Sequence, residues 1–292
     1  MLALGDVEVY SPRTVGEALE ILRRRAGSLR VIAGGTDLVV QLKTGAARWR
    51  ELLNIYGLDE LRYIKYVDGE VKIGALTDFT TIHESPIVKS TAPVLAQAAF
   101  EIGSYQIMNK ASIGGNIVNA SPAADSLPAL YVLEAVLKLE TLDGSRTVPV
   151  KEFYKGYKKL DMRSDELLTE VSYRALGDGW VGEFFKHGLR RGDAIAVVNG
   201  AVLLKWNSVD GVVEDARVAL GAVAPTVVRA VECEKMLRGS RLDEKTIREC
   251  SEAVLTSISP IDDVRGSAAY RREMCVNYVY MTLWSLARRL GM

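Results

Sequence analysis

Apolar and polar positions along this chain change period several times, and each change marks an element. Thr14-Val-Gly-Glu17 carries the Thr-x-x-Glu pattern of a helix N-terminus, and Val15, Ala18, Leu19 and Leu22 follow at i, i+3, i+4 and i+7. That spacing predicts an amphipathic helix ended by Gly27, with a short buried strand over Leu29 to Ala33 behind it. Leu38 to Lys43 reads as a helical turn or short helix. Short strands are then predicted at Glu51 to Tyr56, Ile64 to Val67 and Val71 to Ala75, the last two joined by an Asp68-Gly69 hairpin turn. Thr77-Asp78 caps a helix through Ile82, and Pro93 to Ile102 reads as another. The segment Ala129 to Glu140 is apolar, strand-like from Leu133 to Leu139, and Asp143-Gly144 turns the chain before Thr147-Val-Pro-Val150. A further strand is expected from Leu167 to Tyr173.

Gly177-Asp-Gly179 is the best candidate for a domain boundary. Beyond it, Gly182 to Leu189, Ala194 to Trp206 and Val212 to Gly221 read as three strands joined by tight turns. The remainder predicts helices over Arg229 to Leu237, Asp243 to Leu255 and Ser267 to Leu290. In the last of these Tyr270, Met274, Tyr278, Met281 and Leu283 form the expected core stripe. Strands in runs followed by helices in runs predict an α+β fold, not a doubly wound sheet.

Composition narrows the classes of function. The chain has 292 residues, 48% hydrophobic and 25% charged, enough for two domains of ordinary globular make-up. Lys+Arg and Asp+Glu both number 37, so no charge excess draws it to nucleic acid or an anionic membrane. The segment Met1 to Val9 lacks the features of a signal peptide, and no apolar run reaches the length of a membrane span, so a cytoplasmic protein is expected. Cys233, Cys250 and Cys275 are too few for an iron–sulfur cluster and wrongly spaced for zinc; buried apolar filler is the expectation. Only His83 and His187 could serve a His-based site, and His187 is expected to be satisfied locally.

Candidate chemistry concentrates in two glycine-bearing segments. Val31-Ile-Ala-Gly-Gly-Thr-Asp-Leu38 places a Gly-Gly pair after a strand, and Ala111-Ser-Ile-Gly-Gly-Asn116 leads into Ser121-Pro-Ala-Ala-Asp125. Glycine lets backbone amides approach and converge on an anion. One such pair is ordinarily a turn, whereas two suggest loops gripping one phosphate-rich ligand. Neither GxGxxG nor GxxxxGK[ST] occurs, so a different scaffold must hold those phosphates.

Together, Ala33-Gly-Gly-Thr-Asp37, Ser112-Ile-Gly-Gly-Asn116 and Ser121-Pro-Ala-Ala-Asp125 resemble the FAD-binding medium subunit of the molybdenum hydroxylases, the family of xanthine, aldehyde, nicotinate and aerobic carbon monoxide dehydrogenases. Phe184-Phe-Lys186 with Arg190-Arg-Gly-Asp193, Gly221 to Ala230 and Asp263 to Arg272 resemble its later landmarks, so the likeness spans the whole chain. It implies a two-lobed, vanillyl-alcohol-oxidase-like FAD domain of the PCMH type over 1–176, with lobes of about 1–57 and 58–176. Residues 177–292 would then form a CO-dehydrogenase-flavoprotein C-terminal-like domain of a three-stranded antiparallel sheet plus helices.

Carried over residue by residue, Val31, Ile32, Ala33, Gly34, Gly35, Thr36, Asp37 and Leu38 would wrap the FAD diphosphate through backbone amides. Ser112, Ile113, Gly114, Gly115 and Asn116 would do the same from the second lobe. Ile102 would lie against the flavin nucleotide, and Asp125 would accept hydrogen bonds from sugar or ribityl hydroxyls. Leu168 would border the isoalloxazine, and Lys186 would approach it from the C-terminal domain. The resemblance assigns no catalytic residue and no metal to this chain. It places [2Fe-2S] clusters on a small partner subunit and molybdopterin on a large one, as a dimer of heterotrimers. Two other readings stay open on sequence: a free-standing FAD oxidoreductase, and a non-catalytic scaffold of the same fold.

Overall fold

The computed structural model describes residues 7–292; residues 1–6, which open the N-terminal segment and the first expected lobe, lie outside them. Strands β1 (Glu8–Tyr10), β2 (Arg30–Ile32) and β3 (Glu51–Asn54) form a small parallel sheet in the order β1-β3-β2. Helix α1 (Val15–Arg24) buries Ala18, Leu19 and Leu22 beside it, as the spacing predicts. Thr14 Oγ accepts from the Glu17 amide, but the Glu17 carboxylate reaches back to the Arg13 N–H, one residue before the cap. β2 is an edge strand, so Arg30, Val31 and Ile32 are half-buried and not the fully buried run expected.

After α2 (Leu38–Thr44) and β3, the chain builds a five-stranded antiparallel sheet. β4 (Ile64–Val67) and β5 (Glu70–Gly74) form the predicted hairpin, with Asp68 and Gly69 both at positive φ. Helices α3 (Phe79–Glu84), α4 (Pro86–Thr91), α5 (Pro93–Phe100), α6 (Tyr105–Met108), α7 (Ile113–Asn119) and α8 (Ser126–Val132) follow. Strands β6 (Val136–Thr141) and β7 (Gly144–Pro149), helix α9 (Val150–Phe153), the small hairpin β8 (Tyr154–Gly156) and β9 (Lys159–Leu160), and β10 (Leu167–Arg174) complete this part. The sheet order is β4-β5-β10-β6-β7, with its core between the sheet and α3, α5, α7 and α8.

The last part is a four-stranded antiparallel sheet, β11 (Trp180–Gly188), β12 (Ala196–Asn207), β13 (Val212–Gly221) and β14 (Val228–Arg229), in sequential order. The three long strands are those expected; the two-residue β14 adds an edge. Helices α10 (Val231–Leu237), α11 (Glu244–Ala253) and α12 (Ala268–Arg289) pack against one side of this sheet around a separate core.

Two expectations fail here. The buried face of α12 is Arg271, Cys275, Val279, Thr282, Leu283 and Leu286, whereas Tyr270 and Met281 are 38% and 52% exposed. The face is set by Arg271, a residue that hydropathy assigns to solvent. Its guanidinium is buried by donating to Val197 O, Ala222 O and Asp263 Oδ1. The filler reading holds for Cys275 alone, whose thiol burial pushes up to about 12. Cys233 and Cys250 are joined in a disulfide between α10 and α11, an approach that helix packing creates and spacing does not reveal. No helix among the described residues is long and apolar enough to cross a membrane.

Candidate functional site

A cleft of about 400 Å³ opens between the parallel sheet and the five-stranded sheet. That volume lies within the range of small-molecule sites. One wall is the loop from β2 into α2, with all of Val31 to Leu38 lining it. Facing it are Ser112, Gly114, Gly115 and Asn116 at the start of α7, and Leu168 of β10. Two segments roughly 80 residues apart in sequence thus meet across one space.

Their backbones are prepared differently. In the first loop the N–H groups of Gly34, Gly35, Thr36 and Asp37 donate to no acceptor among the described residues, while Gly35 O and Asp37 O start α2. Four partnerless donors on one turn suit a phosphate oxyanion. Gly35 sits at φ +73°, where a side chain would be strained. At Gly34 the ideal Cβ position lies 1.7 Å from the Lys110 carbonyl oxygen, so this glycine permits the two lobes to touch.

In the second segment the amides are already engaged. Ile113 N donates to Thr77 O, Gly114 N to Ala75 O, Gly115 N to Ser112 Oγ and Asn116 N to Ser112 O. Ser112 to Asn116 therefore resembles an anchored helix start more than an open nest. It offers the cleft the exposed backbone of Gly115 and the amide side chain of Asn116. Ile113 is fully buried and faces the core.

The cleft floor is fixed by an ion-pair knot. The Glu166 carboxylate, fully buried, takes two bonds from Arg146, at 2.6 and 3.0 Å, and two from Arg163, at 2.7 Å (backbone N) and 3.0 Å (Nε). Burial alone would raise its pKa, but these donors outweigh it and hold the group below its ordinary value. The knot anchors the turn that leads into Leu167 and Leu168.

Ile102, Asp125 and Lys186 do not line this cleft. Asp125 starts α8 without capping it; its carboxylate turns toward the C-terminal sheet. Lys186 Nζ donates to Asp125 Oδ2 at 2.7 Å and to Glu101 O at 2.6 Å, and Asn199 Nδ2 donates to Asp125 Oδ1 at 2.8 Å. The Asp125 and Lys186 side chains are only 10% and 6% exposed. Burial pushes the Asp125 pKa up to about 6; Lys186 and Asn199 pull against that, and Glu101 adds to it. Ile102 is buried in the next residue of the same turn as Glu101. The cluster is tied to the cleft because Ser126, next to Asp125, donates to Asn116 Oδ1 at 2.6 Å.

His187 is satisfied locally, as expected: its nitrogens lie 3.2 Å from Tyr278 Oη and 2.9 Å from Tyr270 Oη. Sequence reasoning missed the Arg146–Glu166–Arg163 knot and Asn199. A polar residue inside Ala196-Val-Val-Asn-Gly-Ala-Val-Leu-Leu204 was the available signal for the latter.

Comparison with known proteins matches this geometry to sequence families. The model "FAD binding domain in molybdopterin dehydrogenase" matches residues 5–173, and "CO dehydrogenase flavoprotein C-terminal domain" matches 183–286. The glyceraldehyde dehydrogenase medium chain of Sulfolobus acidocaldarius is 37% identical over 259 residues, 88% of this chain and 90% of that one. The carbon monoxide dehydrogenase medium chain of Hydrogenophaga pseudoflava is 32% identical over 279 residues, 94% of this chain and 95% of that one. A solved carbon monoxide dehydrogenase from the same organism superposes with a TM-score of 0.92 at 30% identity, covering 97% of this chain and 99% of the other.

Proposed function

The chain belongs to the FAD-binding medium subunits of the molybdopterin dehydrogenases, and from that premise we propose that it is the electron relay of such a complex. In this reading it accepts electrons from [2Fe-2S] clusters on a small partner subunit and delivers them through flavin to an external acceptor. A large partner subunit carries molybdopterin and the substrate, and the assembly is a dimer of heterotrimers. Residues 1–176 hold the cofactor and 177–292 complete its surroundings.

Bound FAD supplies the conversion between single-electron supply and two-electron delivery. The residues present fit that group. The partnerless amides of Gly34 to Asp37 bind and orient the diphosphate, and Gly115 and Asn116 close the cleft from the second lobe. Leu168 excludes water from the cleft floor, where the Glu166 knot holds it. Asp125 lies beyond the cleft wall, linked to it through Ser126 and Asn116; we assign its lone pairs not used by Lys186 and Asn199 to ribityl or sugar hydroxyls there, with Ile102 following Glu101, whose carbonyl shares Lys186. Of the two carboxylates that line the cleft among the described residues, Glu166 is fully bonded, and Asp37 stands exposed at the start of α2 with its side chain capping nothing.

The observation that carries the reading is the four-amide loop facing α7 across the cleft. The test is to purify the chain, record its visible spectrum and identify released flavin by chromatography. FAD without iron is the expected result. A colourless chain that takes up no FAD, alone or with its partners, overturns the assignment.

A further inference from the structure

Lys186, Asn199 and Gly221 occupy one row across the C-terminal sheet: Lys186 is paired with Asn199 between β11 and β12, and Asn199 with Gly221 between β12 and β13. Paired residues on adjacent strands face the same side. The row therefore points a cation, an amide and an empty position at the Ser121 to Asp125 segment. Lys186 and Asn199 each take one oxygen of Asp125, and Asn199 Nδ2 also lies 3.5 Å from Ala123 O. Just past the end of β13, Ala222 N donates to Pro122 O at 2.8 Å. The whole segment is thereby docked onto the sheet.

Asn199 is fully buried, and its Oδ1 has no hydrogen-bond partner. Leaving a buried carbonyl oxygen unsatisfied is costly, so the side chain is held by what its N–H groups do. Gly221 makes this possible, because a Cβ there would lie 2.1 Å from Asn199 Oδ1. Only an absent side chain on β13 leaves room for the amide to reach Asp125.

We propose that Asn199 is a positioning residue of the cofactor site. It touches no cofactor; with Lys186 it fixes the rotamer and charge of Asp125, so a row in the C-terminal sheet tunes how firmly the N-terminal half holds FAD. The inference rests on the reading of Asp125 as a cofactor contact. The charged groups facing Asp125 are Lys186 from β11 and Glu101 from the end of α5, and Asn199 is the neutral member. The Asn199 hydrogen bond favours the carboxylate, so its loss moves Asp125 titration to higher pH.

The experiment is a fluorescence titration of the full chain with FAD from pH 5 to 8.5. Asn199→Leu, which keeps the branched shape and removes the donor, should weaken binding about tenfold at pH 7.5, a factor expected for one hydrogen bond to a charged group. The wild-type affinity should fall as pH drops through about 6, and the Asn199→Leu fall should begin at higher pH. Asn199→Asp should bind weakly at pH 8 and recover toward pH 5, where the new carboxyl is protonated and can donate to Asp125. In an Asp125→Ala background, Asn199→Leu should cost nothing further. A wild-type profile for Asn199→Leu, or the same loss without Asp125, overturns the proposal. Gly35→Val, in the other loop, tests the cofactor reading separately. Normal affinity there beside a defective Asn199→Leu removes the diphosphate loop and keeps the row; the reverse removes the row and keeps the loop.

Discussion

The carbonyl oxygen of Lys110 occupies the place where a side chain on Gly34 would begin, 1.7 Å from the ideal Cβ position. A backbone atom cannot swing aside as a side-chain tip can. Gly34→Ala should therefore push the two lobes apart, lowering thermal stability and FAD content together. Calorimetry of the apo-protein beside the flavin-to-protein absorbance ratio checks this; unchanged values in both would mean that the lobes do not meet there.

Gly115 presents the opposite case. It is exposed toward the cleft, and a Cβ there meets nothing nearer than Ser112 Oγ at 3.0 Å. Gly115→Val should keep the circular dichroism of the fold and lose flavin on gel filtration. Gly35→Val should lose flavin too, with about 1–2 kcal/mol of stability besides, because φ is +73°.

Glu166→Gln removes the charge at the centre of the knot and leaves Arg146 without its carboxylate. We expect a loss of about 2–3 kcal/mol by urea unfolding at pH 7. The folded pKa of Glu166 is depressed, so its contribution is fully present above the unfolded value near 4.5 and is lost as pH falls below it. The wild-type and Glu166→Gln curves of stability against pH should accordingly converge on the acid side.

Asp263→Asn should be harsher, about 3–5 kcal/mol, because it strands the buried Arg271 guanidinium, whose Nε already lacks a partner. Burial works to raise the Asp263 pKa, but Arg265 and Arg271 hold it down to about 2. Its share of stability should therefore survive to pH 4 and vanish between about 4 and 2. A melting temperature within a degree of wild type at neutral pH would refute the anchoring role.

The Cys233–Cys250 crosslink closes a separation of 17 residues. On loop entropy such a link is worth about 3 kcal/mol. Unfolding in guanidinium with a strong reductant should show a lower midpoint, and Cys233→Ser/Cys250→Ser should reproduce it without reductant. Equal midpoints would show that the two thiols are not joined.

Much of the fold was legible because it is written in local period. The Asp68-Gly69 hairpin, the three long strands from Trp180 to Gly221 and the final helix fall where spacing puts them. What failed needed information from across the fold. Tyr270 and Met281 look like core until Arg271 is seen buried among carbonyl groups. Ser112 to Asn116 look like an amide nest until Thr77 and Ala75 are seen accepting from Ile113 and Gly114, and Ser112 from Gly115 and Asn116. Lys186 is a named landmark in the sequence, yet its partner Asp125 is 61 residues away and no period connects them.

The Asp125 pair also fixes when its segment can dock onto the C-terminal sheet. Lys186 leaves the ribosome 61 residues after Asp125, and Asn199 74 residues after it. At about 5–20 residues per second, the wait for Asn199 is about 4–15 s. Throughout that interval the N-terminal half carries an unpaired carboxylate on an undocked segment. If Asp125 holds the cofactor as proposed, flavin loading becomes a late event, timed by translation of the C-terminal sheet, and a chain interrupted before Asn199 should not load flavin firmly.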